Sequence, residues 1–306
     1  MRAVSELPRQ IGPFRVVRRL GVGGVGEVLL AVAHGAGGFE KRVALKVLRE
    51  ELRGDAEYER LLLDEAKMAA RFDHPNLVGV HDVGLSNGVY WVRMDWVDGG
   101  DLGALMGSGE ERAVVPEGVA LAVAHGVSEA LAYLHGLKDE AGRSYGLVHR
   151  DVSPTNVLIG KNGAVRLGDF GLAKATRHRE DTRAGVRKGK YAYMSPEQVR
   201  GGVLGGASDQ WAVGVLLAEM ITGQRPFDGD GPLETMERIR EAAEPALEGM
   251  AEDVAAVVKR CVKREAGERY GKTEVLSAAL GALRARRAGS DGRAVAEWVG
   301  GKATGW

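Results

Sequence analysis

Among its 306 residues the chain has one cysteine, Cys261. No internal disulfide can form, and the sequence fits a reducing compartment. The residue reads as a small buried hydrophobe on a helix rather than a reactive thiol. Long hydrophobic runs are missing, and none reaches the length of a membrane-spanning helix. The first residues, Met1-Arg2-Ala3-Val4-Ser5-Glu6, lack the apolar segment of a secretory leader. These absences lead to the expectation of a cytoplasmic protein with no membrane partner. Neither sign of charge dominates: 42 lysines and arginines face 42 aspartates and glutamates, which argues against the field of a nucleic-acid binder. The 7 histidines show no metal-ligand spacing, and no internal repeat is evident. What the chain does have is ordinary apolar content (44%) and many glycines, 45 in all, which points to numerous turns and close backbone approaches.

The pattern along the chain changes near residue 95. Before it, strands are predicted at 14–20, 27–33, 43–48, 77–83 and 89–95, interrupted by one helix over about 55–71 that stops near Pro75. After it, helices are predicted at 117–137, 209–222, 233–242, 251–263 and 273–287, with a polar insert at 138–146. A small β-rich part followed by a larger helical part is an α+β arrangement. The last twenty residues or so, rich in Gly and Arg, read as a loosely held tail.

The chemistry gathers around Asn162-Gly163, a two-residue turn signal between the apolar strands Val157-Leu158-Ile159 and Val165-Arg166-Leu167. Asn156 precedes the first strand and Asp169 follows the second, at equal distances from the turn. Folding is therefore expected to set an amide oxygen beside a carboxylate, a pair suited to Mg²⁺, with Asp151 near the same point. Read singly, Asn156 and Asp169 fit turn residues equally well. Gly21-Val22-Gly23-Gly24-Val25-Gly26 joins two strands. It could cradle phosphates on its backbone N–H groups or form a tight hairpin with no ligand. Lys46 lies in the apolar run Val43–Leu48, and Glu65 projects from the apolar face of its helix. Two misplaced opposite charges most simply pair, whether for structure or for function.

These words stand in order with others: Val43-Ala44-Leu45-Lys46, His149-Arg150-Asp151-Val152-Ser153-Pro154-Thr155-Asn156, Asp169-Phe170-Gly171 and Tyr193-Met194-Ser195-Pro196-Glu197-Gln198. Together they resemble the signature set of the eukaryotic-type (Hanks-type) protein kinases, in wording nearest the bacterial Ser/Thr kinases. The resemblance covers roughly residues 11–284. It implies a bilobal protein-kinase fold, with a β-rich N-lobe over 11–95, a mainly helical C-lobe over 96–284 and a tail over 285–306. It implies ATP and Mg²⁺ as cofactors, a protein substrate phosphorylated on Ser or Thr, and autophosphorylation. By the same resemblance, Gly21, Gly23 and Gly26 approach the phosphates, and Leu20, Val28, Ala44 and Leu158 enclose the adenine. Met94, Asp95 and Val97 belong to the hinge. Lys46, held by Glu65, meets the α- and β-phosphates, Asp151 is the base, and Asn156 and Asp169 hold the metal. Glu197 is expected to pair with Arg269, and Asp209 to brace the catalytic loop. The alternatives are a nucleotide-binding pseudokinase scaffold and a small-molecule kinase.

Two positions depart from the pattern. Where the family usually has lysine two residues after the catalytic aspartate, this chain has Ser153. Where it usually has threonine seven residues before the Pro-Glu glutamate, this chain has Lys190. The exchange looks reciprocal. Lys190 is expected either to supply the positive charge absent at 153 or to face solvent. The basic stretch around Arg177, Arg179, Arg183, Arg187 and Lys188 suggests either that Thr182, or Thr176, carries a phosphate bound in part by Arg150, or that the loop recruits an acidic substrate or has no such role.

Overall fold

β-Branched and leucine-rich segments build one antiparallel sheet from β1 (Gln10–Ile11), β2 (Phe14–Val22), β3 (Gly26–His34), β4 (Glu40–Leu48), β5 (Val80–Ser86) and β6 (Val89–Met94), in the order β1-β2-β3-β4-β6-β5. The structure, a computed structural model, describes residues 7–107, 112–169 and 190–302. Alternation sorts the sheet's side chains onto two faces. Phe14, Leu29, Ala31, Val43, Leu45, Val47 and Trp91 form the core of one face, where Phe14 meets Trp91 edge-on with ring centroids 5.0 Å apart. The other face packs Leu48 and Val92 against Leu62 and Ala66 of α1 (Ala56–Ala69). Asp55 caps α1, accepting hydrogen bonds from the backbone N–H groups of Glu57 and Tyr58.

This sheet and α1 form one of two compact units. It runs to Asp73 and takes up again at Val78–Trp96, whereas His74–Leu77 and everything from Val97 onward form the second. The expected strand starting at 77 is thus corrected. Leu77 makes an isolated bridge to Leu167 of the second unit, and the Asn76 side chain donates to the Val165 carbonyl at 2.8 Å. β5 itself begins at Val80.

The second unit is helical around a small sheet, β7 (Gly99–Asp101), β8 (Val157–Gly160) and β9 (Val165–Leu167). A short α2 (Leu102–Met106) follows β7. α3 (Glu117–Gly136) and α5 (Gly206–Thr222) are buried over most of their length, as their Ala, Val and Leu content requires. Between them comes the one-turn α4 (Pro196–Val199), closed by a reciprocal capping box of Ser195 and Gln198. α6 (Pro232–Glu241), α7 (Glu252–Cys261) and α8 (Thr273–Ala285) complete the expected set.

Two expectations give way here. The described part of the expected tail, through residue 302, is not loose: α9 (Gly292–Gly300) is capped by Asp291 and buries Val295 and Val299. The hairpin register is also offset by one residue. Gly163 takes φ 81°, and its N–H closes a turn onto the Gly160 carbonyl. The connection therefore holds one more residue than a two-residue turn. Val157 pairs with Leu167 and Ile159 with Val165, which sets Asn156 opposite Gly168 rather than Asp169. The Gly168 N–H donates to the Asn156 carbonyl at 2.9 Å.

Candidate active site

In the first unit, cross-strand register assembles one set of candidate residues. Val28 lies opposite Lys46, Leu30 opposite Ala44, Ala44 opposite Met94 and Lys46 opposite Val92. Directly opposed residues share a face, so Val28, Ala44, Lys46 and Met94 line the α1 side of the sheet. Leu20 is the extra residue at a bulge between the pairs Arg19–Leu29 and Gly21–Val28. The glycine segment is a tight connection in which the Gly23 N–H meets the Gly26 carbonyl at 2.6 Å. A Cβ at Gly26 would press on the Val47 carbonyl, whereas one at Gly21 would meet nothing within 4 Å.

From that face Lys46 Nζ reaches Glu65 Oε1 at 2.8 Å, with 19% and 13% of the two side chains exposed. The sheet supplies the ammonium and α1 the carboxylate. Asp95 follows β6; its N–H donates to the Gly79 carbonyl at 2.9 Å, and its Oδ1 lies 2.7 Å from His81 Nε2.

The second set is built in the second unit on the loop ahead of β8. Asp209, at the start of α5 and 1% exposed, accepts the backbone N–H groups of His149 and Arg150, each at 2.8 Å. His135 Nε2 meets the same carboxylate at 2.8 Å, while its Nδ1 faces Thr273 Oγ1 at 2.9 Å. Arg150 takes a left-handed φ of 65°, a conformation disfavoured for a long side chain. The Asp209 clamp and the bond from Gln198 Nε2 to the Arg150 carbonyl, 3.0 Å, hold it there. The His149 ring lies between its own loop and β9, with Nε2 3.2 Å from the Gly168 carbonyl and Nδ1 accepting the Asp151 N–H at 3.3 Å. Burial lowers the His149 pKa, against the raising pull of the carboxylates of Asp209, Asp151 and Asp169.

Asp151 stands at the centre of this set. Asn156 Nδ2 donates to the Asp151 backbone carbonyl at 2.7 Å and to Oδ2 at 3.0 Å. Lys190 Nζ lies 2.7 Å from that same Oδ2, and the two side chains are 19% and 14% exposed. Ser153 is 2% exposed, its hydroxyl 3.3 Å from Thr155 Oγ1. The ammonium beside the carboxylate thus comes from position 190, and position 153 points into protein. Asp169 follows Gly168 at φ 53°, a left-handed conformation that Asp tolerates better than most residues.

The donor chemistry fits a hard divalent cation. Because the Asn156 amide nitrogen is committed to Asp151, its oxygen is the atom left to coordinate, and Asp169 contributes a carboxylate. Leu158 sits in β8 opposite Asp101 and Arg166, and Val97 begins the longer segment of the second unit.

Supports for this loop were only partly visible in the sequence. Arg269, with no exposed side-chain surface, forms a two-pronged pair with Glu197, at 2.8 and 2.9 Å. Burial pushes the Glu197 pKa up, but the bonds from Arg269 and from Ser208 more than offset it and hold the carboxyl at about 2. The role of Gln198 went unread, although Ser195-Pro196-Glu197-Gln198 has the spacing of a capping box; His135 read only as a surface or satisfied core histidine, although it stands in the apolar run of α3. The expected phosphate acceptors Thr176 and Thr182, the basic residues around them, and Phe170 and Gly171 lie outside the described residues.

Comparison with known proteins agrees with this construction. The family model described as "Protein kinase domain" matches residues 14–280. The chain is 35% identical over 274 residues to the tyrosine-protein kinase MasK of Myxococcus xanthus, covering 88% of this chain and 42% of that protein. It is 33% identical over 282 residues to the serine/threonine-protein kinase PknA of Mycobacterium tuberculosis, covering 90% of this chain and 62% of PknA. To PrkC of Bacillus subtilis, a serine/threonine-protein kinase, it is 29% identical, covering 87% and 40% respectively. The chain therefore spans about two fifths of MasK and PrkC. Among solved structures, the Mycobacterium tuberculosis PknI kinase domain matches with a TM-score of 0.62 at 30% identity, over 92% of this chain and 99% of that one. With the fold, the ordered motifs and the family match in agreement, the chain belongs to the protein kinase family and has the protein kinase fold.

Proposed function

We propose that the chain transfers the γ-phosphoryl group of ATP, with Mg²⁺, to Ser or Thr hydroxyls of proteins, itself included. The observation that carries this reading is the cluster on Asp151: an aspartate carboxylate held by Asn156 and Lys190. A pseudokinase has no need of a base so held. In this reading Lys46, fixed by Glu65, neutralises the α- and β-phosphates, while Gly21, Gly23 and Gly26 let backbone N–H groups approach them. Leu20, Val28, Ala44 and Leu158 contact the adenine, and Met94, Asp95 and Val97 form the hinge. Asp151 orients the acceptor hydroxyl and takes its proton as the new O–P bond forms and the bond to the ADP oxygen breaks. Asn156 and Asp169 hold Mg²⁺, which when bound neutralises charge on the phosphate oxygens. Lys190 places a positive charge beside the base, where position 153 offers only a hydroxyl.

Tyrosine as the acceptor is a second reading, supported by the name of MasK and by the missing lysine at 153. A cytoplasmic location is part of this reading, supported by a cysteine count of one, which leaves no internal disulfide to form. The test is incubation with γ-labelled ATP, Mg²⁺ and a generic protein substrate, with Asp151→Asn as control, followed by acid hydrolysis. Label in phosphoserine or phosphothreonine, lost in the variant, supports the proposal. Label only in phosphotyrosine supports the second reading, and nucleotide binding without transfer supports a scaffold.

A further inference from the structure

The matched family domain ends at residue 280, yet the structure continues as one built element past it. The link between α8 and α9 is pinned from both sides. The Ser290 hydroxyl donates to the Arg284 or Arg287 carbonyl, both 2.8 Å away, and Arg284 Nε donates back to the Ser290 carbonyl at 2.6 Å. Arg287 bridges Glu117 at the start of α3 and Asp253 at the start of α7. Asp291 then caps α9, accepting the Ala294 N–H at 2.8 Å. Val295 and Val299, one turn apart on a single face, are 1% and 0% exposed, and α9 packs on α3 and β8.

Two glycines receive this segment. A Cβ at Gly118 of α3 would run into the carbonyl oxygens of Ala288 and Gly289, and a Cβ at Gly163 would run into the backbone of Gly292. Gly163 is the left-handed residue of the β8–β9 turn. The first residue of α9 therefore lies backbone to backbone against the tip of the hairpin whose open end carries Asn156 and Asp169.

We infer that α9 is a positioning brace for the metal-holding hairpin. Seated on the turn and on β8, it restrains the strand that presents Asn156. Because β8 has four residues and β9 three, the strands are too short to shield the open end from disorder at the turn once α9 is loosened. That the hairpin holds Mg²⁺ rests on the kinase reading above; that α9 restrains the hairpin does not.

The test uses the full chain with Val299→Ala, which loosens α9 from within, and Gly118→Ala, which lifts the link at α3 without changing any residue of α9 or the hairpin. Hydrogen exchange is followed at the amides of Gly160, Gly163, Leu167 and Gly168, with α5 as the internal reference for global folding. In both variants the hairpin amides are expected to exchange roughly tenfold faster while α5 holds its protection. In the transfer assay the Mg²⁺ concentration for half-maximal rate is expected to rise severalfold, with the rate at saturating Mg²⁺ kept. Faster exchange confined to α9, with the hairpin unchanged, overturns the brace. So does a loosened hairpin with an unaltered Mg²⁺ requirement. If the intact chain transfers no phosphate, the kinase reading fails, and the exchange measurement still decides whether α9 restrains the hairpin.

Discussion

Replacing Lys190 with alanine removes the ammonium from Asp151 Oδ2, where it now lies at 2.7 Å with the carboxylate side chain 14% exposed. A hydrogen bond to a charged group contributes about 1.5–3 kcal/mol when its partner is left behind. If that contribution is expressed fully in the transition state, turnover falls roughly 10- to 150-fold, at about 1.4 kcal/mol per factor of ten. The loss should fall on kcat, because Lys190 is proposed to act beside the transferring phosphoryl group and the base rather than on the adenine. The exchange double variant, Ser153→Lys with Lys190→Thr, restores the family's usual arrangement and is expected to recover most of the lost rate. The assay is steady-state transfer of label from γ-labelled ATP to a protein substrate, with hydrogen exchange as a folding control. Full turnover in Lys190→Ala would refute the reasoning. So would a loss confined to KM for ATP, because the ammonium would then act on ground-state binding alone.

Other outcomes follow from the same geometry. Lys46→Ala and Glu65→Gln both break the 2.8 Å pair, and each should lower kcat/KM for ATP by roughly 100-fold or more, read by nucleotide titration in the transfer assay. Glu197→Gln strips Arg269 of its two-pronged partner. With the carboxyl pKa lowered from 4.5 to about 2, the pair is worth on the order of 3 kcal/mol at neutral pH. The sign follows from the depressed value: the stabilisation is complete above about pH 4.5 and is lost as pH falls toward 2. Thermal denaturation should therefore show the variant well below the parent at pH 7 and the gap closing toward pH 3. A gap that is constant with pH contradicts the assignment.

Much of this was legible in the residues, for local reasons. Val43–Leu48 is apolar except at Lys46, so a buried ammonium and the misplaced Glu65 pointed to each other across 19 residues. The glycine segment declared itself a strand-to-strand connection because β-branched residues follow it. What failed was set by single backbone torsions or by distant partners. The left-handed Gly163 moves the hairpin register by one, and a two-residue count cannot see that. Leu77 looked like the first residue of a strand; its partner, Leu167, is 90 residues away. The end of the chain was misread through composition. Its glycines and arginines suggested a loose tail, although Asp291 as a cap and Val295 and Val299 at helical spacing were there to be read. Lys190 lay within reach only through the family pattern, since 39 residues separate it from Asp151.

The central claim is that Asn156 and Asp169 hold a divalent cation next to the base at Asp151. The most direct measurement is a Mg²⁺ titration of phosphoryl transfer by the parent chain and by Asp169→Asn, with hydrogen exchange at the β8–β9 hairpin confirming that both are folded alike. The account predicts Mg²⁺-dependent transfer in the parent and a loss of several orders of magnitude in the variant at every Mg²⁺ concentration. Equal transfer by the two proteins, or transfer by the parent that is indifferent to Mg²⁺, would contradict it.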